Sequence, residues 1–68
     1  MTIHIFIGEE ETLVGTISNS KKFVIFPNEV APTVEDIVNC IEKENKYTTE
    51  PNYKFEKNQI IELIISSI

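Results

Sequence analysis

The sequence of 68 residues contains one cysteine and neither tryptophan nor arginine. With Cys40 alone, no intrachain disulfide can form, which excludes the disulfide-stapled scaffolds common among small secreted domains. A structural zinc site needs a full set of Cys and His ligands at short spacings, and only Cys40 and His4 are present. Because a domain below about 70–80 residues seldom builds a strong core alone, we expect stability from close packing or from a second subunit.

Long apolar runs are also missing from the sequence. No stretch approaches the ~20 residues of a membrane span, and the first apolar segment has no preceding cation and runs into Glu9–Glu11. This pattern is not that of a signal peptide. We therefore expect a cytoplasmic protein with no membrane partner, a compartment in which the lone thiol stays reduced.

Cations are scarce: six lysines stand against eleven acids, for a net charge of −5. Residues 29–50 hold most of the acidity, with six acids and two lysines. Nucleic-acid binding rests on a Lys/Arg surface that displaces counterions from phosphates, and guanine readout favours arginine. The composition therefore predicts no direct binding of DNA or RNA.

Alternating apolar residues predict a three-stranded meander in the first half of the sequence. In residues 2–8 the isoleucines occupy one face, while His4 and Phe6 occupy the other, which is typical of a strand. Residues 12–18 and 22–26 give two more strands, and polar turns separate all three. Gly15 inside the second strand indicates a bulge or a close backbone approach. The short connections predict antiparallel pairing.

A helix is predicted from Thr33 to residue 44 or 46. Thr33 can cap it, and Asp36 stands three residues later in the place of a capping-box acid, although Asp is shorter than the usual Glu or Gln. An apolar stripe follows at helical spacing, formed by Val34, Ile37, Val38 and Ile41.

Residues 59–66 fit two structures. As a strand the segment is nearly apolar on both faces, as a central strand is. As a helix it has a polar stripe formed by Gln59, Glu62 and Ser66. Because isoleucine is β-branched and favours strands, we predict a strand beside the first strand, with a C-terminal helix as the alternative. Residues 46–52 are expected to be a polar connection.

The predicted fold is therefore α+β, in one domain that spans residues 1–68. It has a small antiparallel or mixed sheet, made of the N-terminal meander and a C-terminal strand, with one helix packed on one face; the alternative is βββαα. The arrangement resembles the ubiquitin-like β-grasp in architecture. Sulfur carriers and modifiers of that fold end in Gly-Gly, whereas Ser66, Ser67 and Ile68 stand here, so the resemblance implies no shared activity.

Two surfaces are candidate binding sites. The first is the acidic side of the predicted helix, with Glu35, Asp36, Glu42 and Glu44. The second is an apolar interface on the sheet face that the helix does not cover, with His4, Phe6, Val24, Phe26, Ile60 and Ile64. A large apolar patch is seldom left exposed on a monomer, so we expect a homodimer or another protein partner.

No motif in the sequence indicates catalysis. A Gly-rich phosphate loop is missing, and nothing places a base beside Cys40. We therefore expect no enzymatic activity, cofactor or metal. The predicted function is that of a regulator or inhibitor that presents the helix acids to a basic surface of a partner protein. The alternative is a structural or accessory subunit bound to a larger complex through the apolar sheet face. The small size suits a phage or mobile-element protein.

Overall fold

The computed structural model describes residues 2–44, 46–52 and 54–68, which form a sheet of four strands and two helices. In chain order the elements are β1 (Ile3–Ile7), β2 (Thr12–Ile17), β3 (Phe23–Ile25), α1 (Val34–Glu44), β4 (Tyr47–Glu50) and α2 (Lys57–Ser66). The strand order is β3-β2-β1-β4, and every neighbouring pair is antiparallel. The predicted α+β fold with a small sheet and packed helices is confirmed.

A β-bulge in β2 decides which of its side chains face the helices. The pairing with β1 steps from Gly15 directly to Leu13, which leaves Val14 as the extra residue. Strict alternation would turn Leu13 toward the helices, because side chains along a strand change face at every residue. The bulge reverses this assignment. Val14 is fully buried, whereas Leu13 is 38% exposed.

Gly15 leaves room for an aromatic ring from the neighbouring strand. A Cβ atom at this position would lie 2.5 Å from Cε1 of Phe23 and 2.8 Å from the carbonyl oxygen of Val24. Since glycine has no side chain, the Phe23 ring of the neighbouring strand can occupy this space on the helix-covered face. Both roles predicted for Gly15 are present: it flanks the bulge, and it is a point of close approach.

Helix α1 has the predicted cap. The Thr33 hydroxyl accepts a hydrogen bond from the Asp36 N–H at 3.1 Å and donates one to the Asp36 carboxylate at 2.8 Å. The short Asp side chain thus bonds the hydroxyl of the cap, where a longer Glu would reach the backbone N–H. Ile37 and Ile41 follow one turn apart, and both are fully buried.

The strand predicted for the tail is wrong, and the alternative helix is confirmed as α2. At its start the Glu56 N–H donates to Oε1 of Gln59 at 2.9 Å, which is one of the two bonds of a capping box. At its end the Ser67 hydroxyl donates to the Leu63 carbonyl at 2.6 Å. The strand preference of isoleucine is outweighed, since both ends of the helix find partners and its apolar stripe packs on the core.

Strand β4 takes the place beside β1 that was predicted for the tail. It lies within residues 46–52, which were expected to be a polar connection, and it pairs antiparallel with β1, with Thr49 opposite Ile5. Thr49 is its one buried residue, so the segment lacks the apolar alternation that identifies a strand. β4 is thus an edge strand that follows α1, and α2 is an additional helix after it.

Both helices pack on the same face of the sheet. Buried side chains from β1, β2, α1, α2 and the loop before α1 form one core cluster: Ile5, Ile7, Val14, Ile17, Ala31, Ile37, Ile41, Ile60 and Ile64. Ile60 and Ile64 were predicted to lie on the uncovered face. That placement is wrong, because residues one helical turn apart share a side and this side of α2 faces the core.

Candidate interaction surfaces

The sheet face turned away from the helices, called the open face below, carries two rows of side chains that run across the strands. The first row is Val24, Thr16, His4 and Glu50, and the second row is Phe26, Leu13, Phe6 and Thr48. Phe26 directly follows β3 and is held in the second row by a 2.8 Å bond from its N–H to the Val14 carbonyl. None of the four apolar side chains in these rows belongs to the hydrophobic core cluster or packs against it among the described residues.

Much of the open face is apolar and accessible. Leu13 is 38% exposed, Val24 49% and Phe26 41%, and the half-buried ring of Phe6 lies beside Leu13 on the next strand, β1. Scattered apolar residues are normal on a protein surface, but these share one face of one sheet. Adjacent apolar side chains of this kind make the open face a candidate contact surface.

The structure places four of the predicted interface residues on the open face, namely His4, Phe6, Val24 and Phe26, and it adds Leu13. Sequence reasoning missed Leu13 because the bulge that turns it outward has no signature beyond Gly15. Strict alternation cannot find it.

The two turns at opposite ends of the open face carry opposite charges. The turn between β1 and β2 holds Glu9–Glu11, and the turn between β2 and β3 holds Lys21 and Lys22; all five side chains are exposed. Glu9 forms an ion pair with Lys46 of the same chain. Glu10 and Glu11 have no such partner among the described ion pairs. Along the strand direction the open face therefore runs from a negative end to a positive end.

The acidic side of α1 lies on the helix layer, opposite the open face. Glu35 and Glu42 are exposed, as predicted. Asp36 is half-buried and bonded to its cap, while Glu44 ends the helix with a side chain that lies outside the described part of the structure. Lys57 donates from Nζ to the Glu42 carbonyl at 2.9 Å. The Lys57 cation therefore lies near Glu42 at the C-terminal end of α1. Its charge makes this surface less negative than the sequence suggested.

A depression of about 490 Å³ lies beside the turn between β1 and β2. Ile7, Thr12 and Val30 contribute to its lining, together with both members of the Glu9–Lys46 ion pair. Its chemistry is that of an ion pair next to an apolar floor.

Cys40 and His4, the one thiol and the one imidazole of the sequence, lie on opposite sides of the sheet. Cys40 lies on α1 and packs against the core, whereas His4 lies on the open face, across the sheet. In residues 2–44, 46–52 and 54–68 no group of three or more His, Cys, Asp or Glu is placed to hold a metal ion. Nor does any helix within these ranges have the length and apolar content needed to cross a bilayer.

Comparisons with protein-family models, with curated proteins and with solved structures returned no match. The open face and the acidic side of α1 are therefore the basis of the functional proposals.

Proposed function

We propose that this protein is a non-enzymatic protein-interaction module whose principal binding surface is the open face. The observation that carries this proposal is the one-sided placement of α1 and α2, which leaves Leu13, Val24 and Phe26 exposed together on the other side of the sheet. Apolar side chains on this face contribute little burial free energy when one chain folds, because they stay accessible. They would contribute it when another polypeptide covers the face.

The composition of the open face fits the anatomy of a protein interface. Interface cores are enriched in aromatic residues and depleted of charge, and their rims are polar. Phe6 and Phe26 supply the aromatic part, and Glu50 lies at the rim on β4, an edge strand. Fully burying one large apolar side chain contributes about 1.5–3 kcal/mol, so covering three that are 38–49% exposed supplies a useful part of a binding free energy.

The partner is a polypeptide that meets this module in the cytoplasm. The net charge of −5 opposes binding to nucleic acid, and a reducing compartment keeps Cys40 as a thiol.

A photo-crosslinking amino acid placed at Val24 tests the proposal in the native cells. Ile65 on α2 is the matched control, because it is a large apolar residue of similar exposure, 57% against 49%, on the helix layer. We expect position 24 to crosslink to a polypeptide, whether another protein or a second copy, and position 65 to give little product. Equal yields at the two positions, or none at position 24, would contradict the proposal.

A second candidate function uses the acidic side of α1. Glu35 and Glu42 are exposed on one rigid element, and Glu29 is exposed in the loop before it. We propose that these acids dock a regulator or inhibitor onto a basic surface of its target, where complementary charge speeds association and sets orientation. Since this surface and the open face lie on opposite layers, the two functions are compatible.

Salt dependence and charge reversal separate the two candidates. Binding through α1 should weaken as ionic strength rises, because exposed charges are screened beyond a Debye length of about 8 Å at physiological salt. Glu35→Lys with Glu42→Lys should abolish it, whereas the control Glu62→Lys on α2 should not. Binding through the open face should survive both treatments, and a partner lost with the α1 pair alone would favour the regulator.

A further inference from the structure

We propose that the open face binds a second copy of this chain, with the two sheets packed face to face about a two-fold axis that lies in the interface and runs perpendicular to the strands. The proposal rests on the proposed function in one respect, that the open face is a binding surface. It adds the identity of the occupant and the geometry of the pair. Two independent features of the face support it.

The first feature is the arrangement of the two rows. Sheets that pack face to face lie about 10 Å apart with their strands within about 30° of one another. The proposed axis reverses the strand direction and keeps the strand order, so that the second row of one copy lies over the first row of the other. Phe26 then lies over Val24, and Leu13 over Thr16. The most exposed apolar residues of β3 and its end thus cover one another.

The second feature is the charge at the two ends. Reversing the strand direction brings the Lys21 and Lys22 turn of one copy to the Glu10 and Glu11 turn of the other. Both turns begin or end at β2, so they are offset by roughly one strand spacing, about 4.8 Å, across the strands, in addition to the spacing of about 10 Å between the sheets. A lysine and a glutamate side chain that extend toward each other can bridge this separation. Because a two-fold interface repeats each contact, this pairing occurs twice.

The other possible two-fold axis, parallel to the strands, is unfavourable by both criteria. It would lay Val24 over Glu50, so that an apolar side chain would desolvate a carboxylate. It would also superpose the acidic turn on the acidic turn, since this turn joins the two central strands, and like charges brought together at an interface oppose binding. The two lysine turns would lie at the same end, about two strand spacings apart. The pattern on the open face therefore selects one of the two symmetric arrangements.

Self-complementarity favours a second copy over an unrelated partner. The open face carries both the acidic turn and the basic turn that would pair with it, and an isologous contact requires a patch of this kind. A chain of 68 residues with one cysteine also gains stability from association, since its core is small and no intrachain disulfide is possible.

The first test is the mass of the protein in solution, measured by sedimentation equilibrium over a dilution series. We expect a dimer that Phe26→Glu and Val24→Glu each convert to a monomer, because either change buries an unpaired carboxylate. Ile65→Glu, which places the same charge on the exposed side of α2, should leave the dimer intact. Circular dichroism of each variant shows whether it is folded. A wild-type monomer at every concentration, or a dimer that tolerates both open-face changes while folded, overturns the proposal.

The second test concerns the axis. Lys21→Glu with Lys22→Glu makes both ends acidic, and Glu10→Lys with Glu11→Lys makes both ends basic. We expect each doubly substituted chain to self-associate about tenfold or more weakly, because like charges then meet at both ends. A mixture of the two should form a heterodimer close to wild-type affinity, and high salt should remove these differences. If the mixture associates no better than either chain alone, the axis is not the proposed one.

The two proposals fail in different ways. A monomer in solution whose position 24 crosslinks to another protein overturns self-association and leaves the interaction module in place. A monomer that gives no crosslink at position 24 removes both.

Discussion

The two faces of the sheet are built from the same strands and have opposite environments. On the covered face, Ile5, Ile7 and Val14 are at most 1% exposed, whereas on the open face Leu13 and Val24 are 38% and 49% exposed. Alternation gives every strand two faces, and the helices determine which of them becomes the core. Since both helices pack on one face, the apolar side chains of the other face remain accessible, and this is the observation on which the proposed binding surface rests.

The bulge in β2 shows how sharply this division is made. Two adjacent apolar residues, Leu13 and Val14, are sent to opposite sides, because the extra residue changes the phase of the alternation. Without the bulge the larger side chain, Leu13, would enter the core and Val14 would replace it on the open face. The bulge thus places the smaller side chain, Val14, in the core and the larger one, Leu13, on the open face.

The largest expected effect compares truncations on the two faces. Ile5→Ala should lower the free energy of unfolding by about 2–5 kcal/mol, because it leaves a cavity in a close-packed core. Val24→Ala on the open face should change it by only about 0.5 kcal/mol. Urea denaturation at low protein concentration measures both, since association contributes least there.

A comparable loss in the two variants would show that the open face is buried within one chain. The comparison between the faces would then no longer hold.

Sequence reasoning found the elements whose periodicity is strong. The three meander strands and α1 lie within two residues of their predicted bounds, because apolar alternation and an apolar stripe with its Thr33 cap are direct consequences of one buried side. The open face was predicted for the same reason: Phe6 and Val24 alternate with residues that had to be inside.

The errors lie where local preference and tertiary context disagree. Isoleucine-rich residues 59–66 favour a strand locally, but Glu56 and Gln59 form a capping pair that starts a helix. Tyr47–Glu50 has only one buried residue, so its place in the sheet depends on pairing with β1 and cannot be read from its own pattern. The two errors are linked, because only one segment can pair with the free edge of β1. Once Tyr47–Glu50 is placed there, residues 59–66 have no strand position beside β1.

The second prediction concerns Gly15, which flanks the bulge that assigns side chains to the two faces and makes room for Phe23 on the covered face. Gly15→Ala should lower the free energy of unfolding by about 1–3 kcal/mol, because its Cβ would lie 2.5 Å from the Phe23 ring and overpack the covered face. In the Phe23→Leu background the same change should cost less, since the ring is gone. Denaturation of the four proteins in this double-mutant cycle gives the coupling free energy.

Purely additive losses would mean that the cost comes from the Val24 backbone alone. That carbonyl oxygen lies 2.8 Å from the added Cβ.

The third prediction concerns the helix layer that makes one face the covered one. Thr33→Ala should cost about 1 kcal/mol, because the Asp36 N–H loses its acceptor at the start of α1. Asn39→Ala, at an exposed position inside the same helix, is the matched control and should be neutral or slightly stabilising, since alanine is the better helix former. Thermal unfolding followed by circular dichroism distinguishes the two, and an equal cost for both would contradict the assigned cap.

The smallest expected effect separates charges that serve the chain itself from charges that serve its surface. Glu9 is bound to Lys46, with the two side chains 78% and 53% exposed, so Glu9→Gln should change the free energy of unfolding by less than about 1 kcal/mol. It should also leave self-association nearly unchanged, because Glu9 already has a cation.

Glu11→Gln should weaken self-association more, because its charge is available to the lysines of a second copy. Sedimentation of both variants at low and high salt measures the difference, which should vanish at high salt; a larger effect of Glu9→Gln would mean that Lys46 releases Glu9 in the dimer.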